Sequence, residues 1–122
     1  MNVLLGVEGS DESMKTLHAT IERTLEAGDT LTVAVLENDG VKRSQAEMSE
    51  EVHECLEEAG LEADVRLLSG DPGSELVTVA EREAFDQVVI GGGEASPMGK
   101  IRLGPITEFV LLNSPTTVTL VR

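Results

Sequence analysis

Val88-Val89-Ile90-Gly91-Gly92-Gly93 is a short apolar, β-branched run that ends abruptly in three glycines. Its length, its residue types and its glycine stop predict a buried strand over residues 86–91. The segments on either side have a different period. Upstream, Ser69-Gly70-Asp71-Pro72-Gly73 is a loop opening a helix over residues 74–84, with Leu76, Val77, Ala80 and Ala84 as its apolar stripe. Downstream, a glycine-bearing loop runs from 92 to 103. A short helix over 105–112 follows, with Ile106, Phe109 and Val110 turned inward. Pro105 suits its first turn, where a missing N–H costs little. Asn113-Ser114-Pro115 breaks the helix, and residues 116–121 form a last strand.

The same alternation extends to the beginning of the sequence. Residues 2–7 read as a first strand. Ser10 is an N-cap, and Asp11 and Glu12 favour the positive end of a helix whose stripe is Met14, Leu17, Ile21 and Leu25. Gly28-Asp29 ends that helix, and residues 30–36 form a second strand. After an Asn38-Asp39-Gly40 turn, Met48, Val52, Cys55, Leu56 and Ala59 mark a second helix ending at Gly60. Its opposite face carries Glu47, Glu50, Glu51, Glu54, Glu57 and Glu58, a solvated face. Residues 62–68 are the third strand.

Strands separated by helices require right-handed crossovers, hence a parallel sheet with helices on both faces. We expect one α/β domain over residues 1–122, a doubly wound open sheet of five parallel strands in the order 3-2-1-4-5. Ligands in such folds bind beyond the carboxyl ends of the strands, where the winding reverses between strands one and four. Gly6, Val7, Glu8, Gly9 and Ser10 meet Gly91, Gly92 and Gly93 there.

Composition narrows the function. Aromatic residues are 2% of the chain and Trp and Tyr are absent, which argues against base-stacking nucleic-acid modules. The formal net charge of −14, from 23 acidic and 9 basic residues, repels nucleic acid and anionic membranes. It repels nucleotides too, so a phosphate site must rest on local backbone donors. Of the basic residues only Lys15, Lys42 and Lys100 are lysines. Many acids with few lysines point to adaptation to high salt, where screening removes self-repulsion; an ordinary acidic cytosolic protein is the alternative. Cys55 is the only cysteine, which fits a reducing compartment. No apolar run reaches the length of a membrane span and no signal-peptide pattern is visible, so a cytoplasmic protein is expected.

The stretch from Val88 to Val121, with its Gly91…Gly104 spacing, and the opening Leu4-Leu5-Gly6-Val7-Glu8-Gly9-Ser10 resemble the universal stress protein family. The resemblance covers essentially the whole chain, with a somewhat shortened middle. It implies ATP or another adenine nucleotide as ligand, with magnesium as a possible companion and no structural metal. ATP-binding members carry Gly, two residues, Gly, nine residues, then Gly and Ser or Thr. Here Gly91 and Gly104 match the first and third glycines. Glu94 stands at the second, and Pro105 at the Ser or Thr. Glycines let backbone N–H groups approach phosphate oxygens, and the helix start after Gly104 adds donors. Pro105 removes a hydroxyl and an N–H, and Glu94 introduces a carboxylate. Glu8 replaces the Asp expected to touch the nucleoside.

Ser96, Gly99 and Lys100 supply a hydroxyl, a flexible glycine and a cation in the same loop. Lys100 is a phosphate partner or a plain surface lysine. Val35 lies where relatives line an adenine pocket, or it is a core valine. The expected nucleotide set is therefore Gly6, Val7, Glu8, Val35, Gly91, Gly92, Gly93, Ser96, Gly99, Lys100, Gly104 and Ile106, with no catalytic residue.

Weak nucleotide binding in a stress-response protein is one reading. The other is a dimeric interaction module of the same fold whose pocket no longer takes nucleotide. In the last strand Thr116, Val118 and Leu120 alternate with Thr117, Thr119 and Val121. As an edge it leaves backbone groups unpaired, and family resemblance implies a homodimer joined through it. No zinc-ligand spacing, Gly-x-Ser-x-Gly elbow or Walker A pattern occurs; His18 and His53 read as boundary residues and Cys55 as a buried thiol. A receiver domain lacks its acidic pair and its Asp directly after strand three. The Gly9-Ser10-Asp11-Glu12-Ser13 loop lacks the paired glycines of an ATP pyrophosphatase.

Overall fold

The computed structural model describes residues 1–91, 94–95 and 101–121, and of residues 94, 95, 101 and 102 the backbone alone. The glycines at 92 and 93 and the loop residues Ser96, Gly99 and Lys100 lie outside the described residues, as does the Glu94 side chain.

Five strands build the main sheet: β1 (Asn2–Val7), β2 (Thr30–Leu36), β3 (Asp64–Leu68), β4 (Gln87–Gly91) and, last in the chain, β7 (Thr117–Val121). They pair in parallel in the order β3-β2-β1-β4-β7. This is the 3-2-1-4-5 winding expected from the alternation of strands and helices. The helices are α1 (Asp11–Ala27), α2 (Gln45–Ala59), α3 (Pro72–Arg82) and α4 (Pro105–Asn113).

The pleat of β1 explains how the layers form. Val3, Leu5 and Val7 face one side, packing with Leu17 and Ile21 of α1 and with Met48, Val52 and Leu56 of α2. Leu4 faces the other side, where Leu76, Val79 and Ala80 of α3 and Val110 of α4 close over it. Successive strand side chains point to opposite faces. Leu4, Leu5 and Val7 are all fully enclosed, so β1 is the centre of the molecule.

The helix ends are capped by short polar side chains. Ser10 accepts from the Ser13 amide, Ser44 and Glu47 form a reciprocal capping box, and Asp71 accepts from the Ser74 amide. Asp71 and Pro72 start α3 two residues before the expected Ser74. The helix stops at Arg82, leaving Ala84 in the turn with a positive φ of 51°. β3 starts at Asp64 rather than 62: the α2 cap runs through Leu61, whose N–H bonds the Leu56 carbonyl, and pairing with β2 begins only at Thr32 and Asp64. β7 starts one residue late, at Thr117.

Two details of the last third differ from expectation. The region read as a loop contains a small antiparallel ladder of β5 (Glu94–Ala95) and β6 (Ile101–Arg102). Phe109, expected inside, is 38% exposed; Thr107 and Val110 are the buried residues of α4, and Ile106 is half-buried. Phe109 still covers α3: a Cβ on Gly73 would lie 2.9 Å from its ring.

Candidate nucleotide pocket

A cavity of about 570 Å³ opens beyond the carboxyl ends of β1 and β4. Its wall includes Gly6 and Glu8 from the first strand and its exit, Ile90 and Gly91 from the fourth, and Gly104 and Ile106 from the start of α4. The structure therefore brings together five of the residues singled out from sequence: Gly6, Glu8, Gly91, Gly104 and Ile106. A volume of this size suits a small organic ligand (about 300–1,000 Å³).

Val7 and Val35 do not line it. The pleat turns both side chains to the α1 and α2 layer, where each is fully buried in the core. The even-numbered Gly6, Leu36 and Ile90 point to the α3 and α4 layer, and that is the side on which the cavity opens. The Val35 carbonyl accepts from Gln45 Nε2 at 2.9 Å, and the same amide reaches the Leu68 carbonyl at 3.0 Å. Gln45 thus ties the ends of β2 and β3 together.

Glycine serves close packing at two of these positions. A Cβ on Gly6 would lie 2.6 Å from Leu76 Cδ2, and one on Gly91 would lie 2.9 Å from Thr16 Oγ1. Gly91 also receives α4: Thr107 Oγ1 donates to its carbonyl at 2.9 Å. Gly104 is different. It is the α4 N-cap with an ordinary extended backbone, no side-chain cap bond, and open space where a Cβ would stand. Pro105 follows at the first helical position, so Ile106 and Thr107 provide the first proton-bearing amides of the helix.

The opposite wall is polar. Glu8 is half-buried, and Asn38 Nδ2 donates to its Oε2. The Glu8 amide donates to Ser13 Oγ at 3.0 Å, and Ser10 Oγ donates to the same oxygen at 3.3 Å. Glu12 also lines the cavity. Sequence reasoning assigned Asn38 only to a turn and passed over Ser13, Leu36, Leu103 and Thr107. The signal for Asn38 was register: Val7 stands beside Val35, so the exits of β1 and β2 are neighbours.

The turn after β2 is locked to the turn after β1. A Cβ on Gly9 would lie 2.1 Å from the Arg43 carbonyl oxygen and 2.8 Å from Val41 Cγ2. The Arg43 amide and Nη1 both donate to the Gly9 carbonyl, at 3.2 and 3.3 Å. Its guanidinium also meets Asp11 at 3.0 Å and Glu51 at 2.7 Å. The Arg43 hydrogen bond, with the charge of Lys42 beside it, lowers the Asp11 carboxyl below its ordinary value.

His18 and His53 are exposed, and Cys55 is half-buried, with desolvation and then the nearby Glu58 raising its thiol. Among the described residues no three of His, Cys, Asp and Glu gather as a metal site, and no helix is long and apolar enough to cross a membrane.

The family model for the universal stress proteins matches residues 1–122. A universal stress protein of Methanocaldococcus jannaschii, MJ0577, is 25% identical over 99% of this chain and 65% of its own length. Aligned stretches span 36% to 65% of the curated relatives. Among solved structures, the universal stress protein of Archaeoglobus fulgidus superposes with a TM-score of 0.80 at 21% identity, covering 100% of this chain and 98% of that one. The Archaeoglobus fulgidus protein in complex with dAMP gives 0.76 at 20% identity, covering 100% and 98%.

Proposed function

Since the chain belongs to the universal stress protein family, we propose that it binds an adenine nucleotide weakly in the cavity between β1, β4 and α4. The observation that carries this reading is the cavity itself, at the reversal of winding and against a helix N-terminus. The dAMP complex of the Archaeoglobus fulgidus relative supports the ligand class. The residues fit part of such a ligand. Gly6, Leu36 and Ile90 offer an apolar floor, Glu8, held by Asn38, offers an acceptor, and the Ile106 and Thr107 amides at the helix start offer donors to an anion. The rest of the phosphate cradle falls to Gly92, Gly93, Ser96, Gly99 and Lys100, and magnesium bound with the nucleotide would neutralise part of the phosphate charge.

Binding is weak because Pro105 withholds one N–H and one hydroxyl, and because a chain of charge −14 repels polyphosphates. The sequence offers no activated nucleophile, so ATP turnover is expected to be slow and incidental in a cytoplasmic stress-response protein. Calorimetric titration with ATP and magnesium, in low and in multimolar potassium chloride, tests this. We expect saturation near one nucleotide per chain and tighter binding in high salt, where repulsion is screened. No heat at millimolar ATP in either salt would overturn it.

Pro105 favours a second reading, a dimeric interaction module that no longer takes nucleotide. β7 is an edge of the sheet, with Val118 and Leu120 only half-buried. An unpaired edge templates strand pairing with another chain. A homodimer joined along β7 is the assembly we expect under either reading. Sedimentation at micromolar concentration should give twice the mass of one chain; a monomer alone would reject it.

A further inference from the structure

We infer that Arg43, which does not line the cavity, is a positioning residue for it. The inference rests on the nucleotide reading above for its ligand, though not for its structural core. The segment between β2 and α2 acts as a strap across the exit of β1. At one end of the strap Asn38 donates to the Glu8 carboxylate on the cavity wall. At the other, Ser44 caps α2. Arg43 holds the strap between these points. Its backbone and its guanidinium both donate to the Gly9 carbonyl, and its side chain bridges Asp11 of α1 to Glu51 of α2.

The geometry gives Arg43 this role and denies it to its neighbour. Its side chain is 16% exposed and engages several oxygens at once, whereas Lys42 is 69% exposed and among the described residues pairs with Asp11 alone, at 3.7 Å. A planar guanidinium can meet several acceptors in fixed directions, which an ammonium cannot. Gly9 has no side chain to hold the strap away, and a Cβ there would collide with the Arg43 carbonyl. The strap therefore rests directly on the turn that leads from Glu8 to Ser10. Without the Arg43 guanidinium the strap keeps at Gly9 only the backbone bond and loses its ties to Asp11 and Glu51, so Asn38 loses its fixed approach to Glu8 and the wall acceptor loses its orientation. A carboxylate with one oxygen held by an amide presents the other to a ligand donor in one direction; an untethered one must be ordered at the moment of binding.

Two readouts test the role. By calorimetry, Arg43→Ala should weaken adenine nucleotide binding about 10-fold, and Asn38→Ala by a similar factor. The double variant should be no weaker than either alone, because both act through one contact. Arg66→Ala is the control: Arg66 bonds Asp64 of β3 and Glu83, the residue that ends α3, neither of which lines the cavity, and its loss should leave affinity unchanged. The second readout needs no ligand. In nitrogen-15 spectra the Asn38 side-chain amide protons should exchange slowly in the parent and in Arg66→Ala, and fast in Arg43→Ala.

Unchanged Asn38 exchange in a folded Arg43→Ala variant overturns the proposal. So does additive loss of affinity in the double variant. If the parent protein binds no nucleotide, the nucleotide reading fails, and the Asn38 amide still decides whether Arg43 sets the wall. If Arg43→Ala fails to fold, Arg43→Lys serves in its place, with the same faster exchange expected because lysine cannot hold Gly9, Asp11 and Glu51 together.

Discussion

With Glu94→Gly and Pro105→Ser introduced together, the protein should bind ATP about 10 to 100 times more tightly, since each hydrogen bond to a charged group contributes about 1.5–3 kcal/mol. α4 starts at Gly104 and Pro105 without a side-chain cap bond. A serine at 105 restores an N–H and a hydroxyl at the first helical position, where helix dipole and unpaired amides already favour an anion. Glycine at 94 removes a carboxylate from the loop that joins β4 to that helix, and with it a Coulombic repulsion. Pro105→Ser alone should give the larger share of the gain, because it supplies both new donors. It should also lower stability slightly, by about 0.4–1 kcal/mol, because proline restricts the unfolded chain. Calorimetry on parent, single and double variants measures both steps. No gain in the double variant would show that these two residues are not what weakens the site.

The fold was legible because its signals are local and repeat. The main strands are short runs rich in Val and Leu, α1, α2 and α3 open on Ser or Asp, and their apolar stripes have helical spacing; Ser10, Asp71 and Pro105 all stand at helix starts. Boundaries slipped where strand pairing starts later than the sequence pattern, as at Asp64, or where Pro72 began a helix early. Phe109 was misplaced for another reason. α4 is apolar on nearly all sides, so periodicity does not say which face is inward. Packing against Gly73 and the sheet decides it.

The cavity was legible only in outline. Topology alone located it between strands one and four, and glycines marked the strand exits. Which side chains enter it depends on the pleat, which separates Gly6 from Val7 and Leu36 from Val35 although each pair is adjacent in sequence. Asn38 and Arg43 depend on tertiary contact with Glu8 and Gly9, across about thirty residues of chain, for which no local pattern exists.

One substitution at two glycines should separate what holds the pocket together from what keeps it open. Gly9→Ala places a methyl 2.1 Å from the Arg43 carbonyl oxygen and 2.9 Å from its carbonyl carbon, both backbone atoms that cannot rotate aside. The strap must lift, breaking the Arg43 bonds to Gly9. We expect a loss of about 3 kcal/mol in unfolding free energy, or roughly 10 °C in thermal midpoint. Gly104→Ala meets nothing within 4 Å and keeps an allowed backbone, with φ at −69° and ψ at 164°. Its stability cost should stay below about 1 kcal/mol, the difference between glycine and alanine as N-caps. Gly104 lines the cavity at the α4 start, however, where an anionic ligand must approach the Ile106 and Thr107 amides, so a methyl there should narrow that approach. Nucleotide affinity should fall about 10-fold or more, because donors held off from an anion lose most of a charged hydrogen bond. Thermal unfolding by circular dichroism and calorimetric titration on both variants give the comparison. A stable Gly9→Ala would mean that the strap does not rest on the turn after β1. Full affinity in Gly104→Ala would mean that the ligand enters without touching the helix start, and the phosphate site would have to be sought on the β4 side alone.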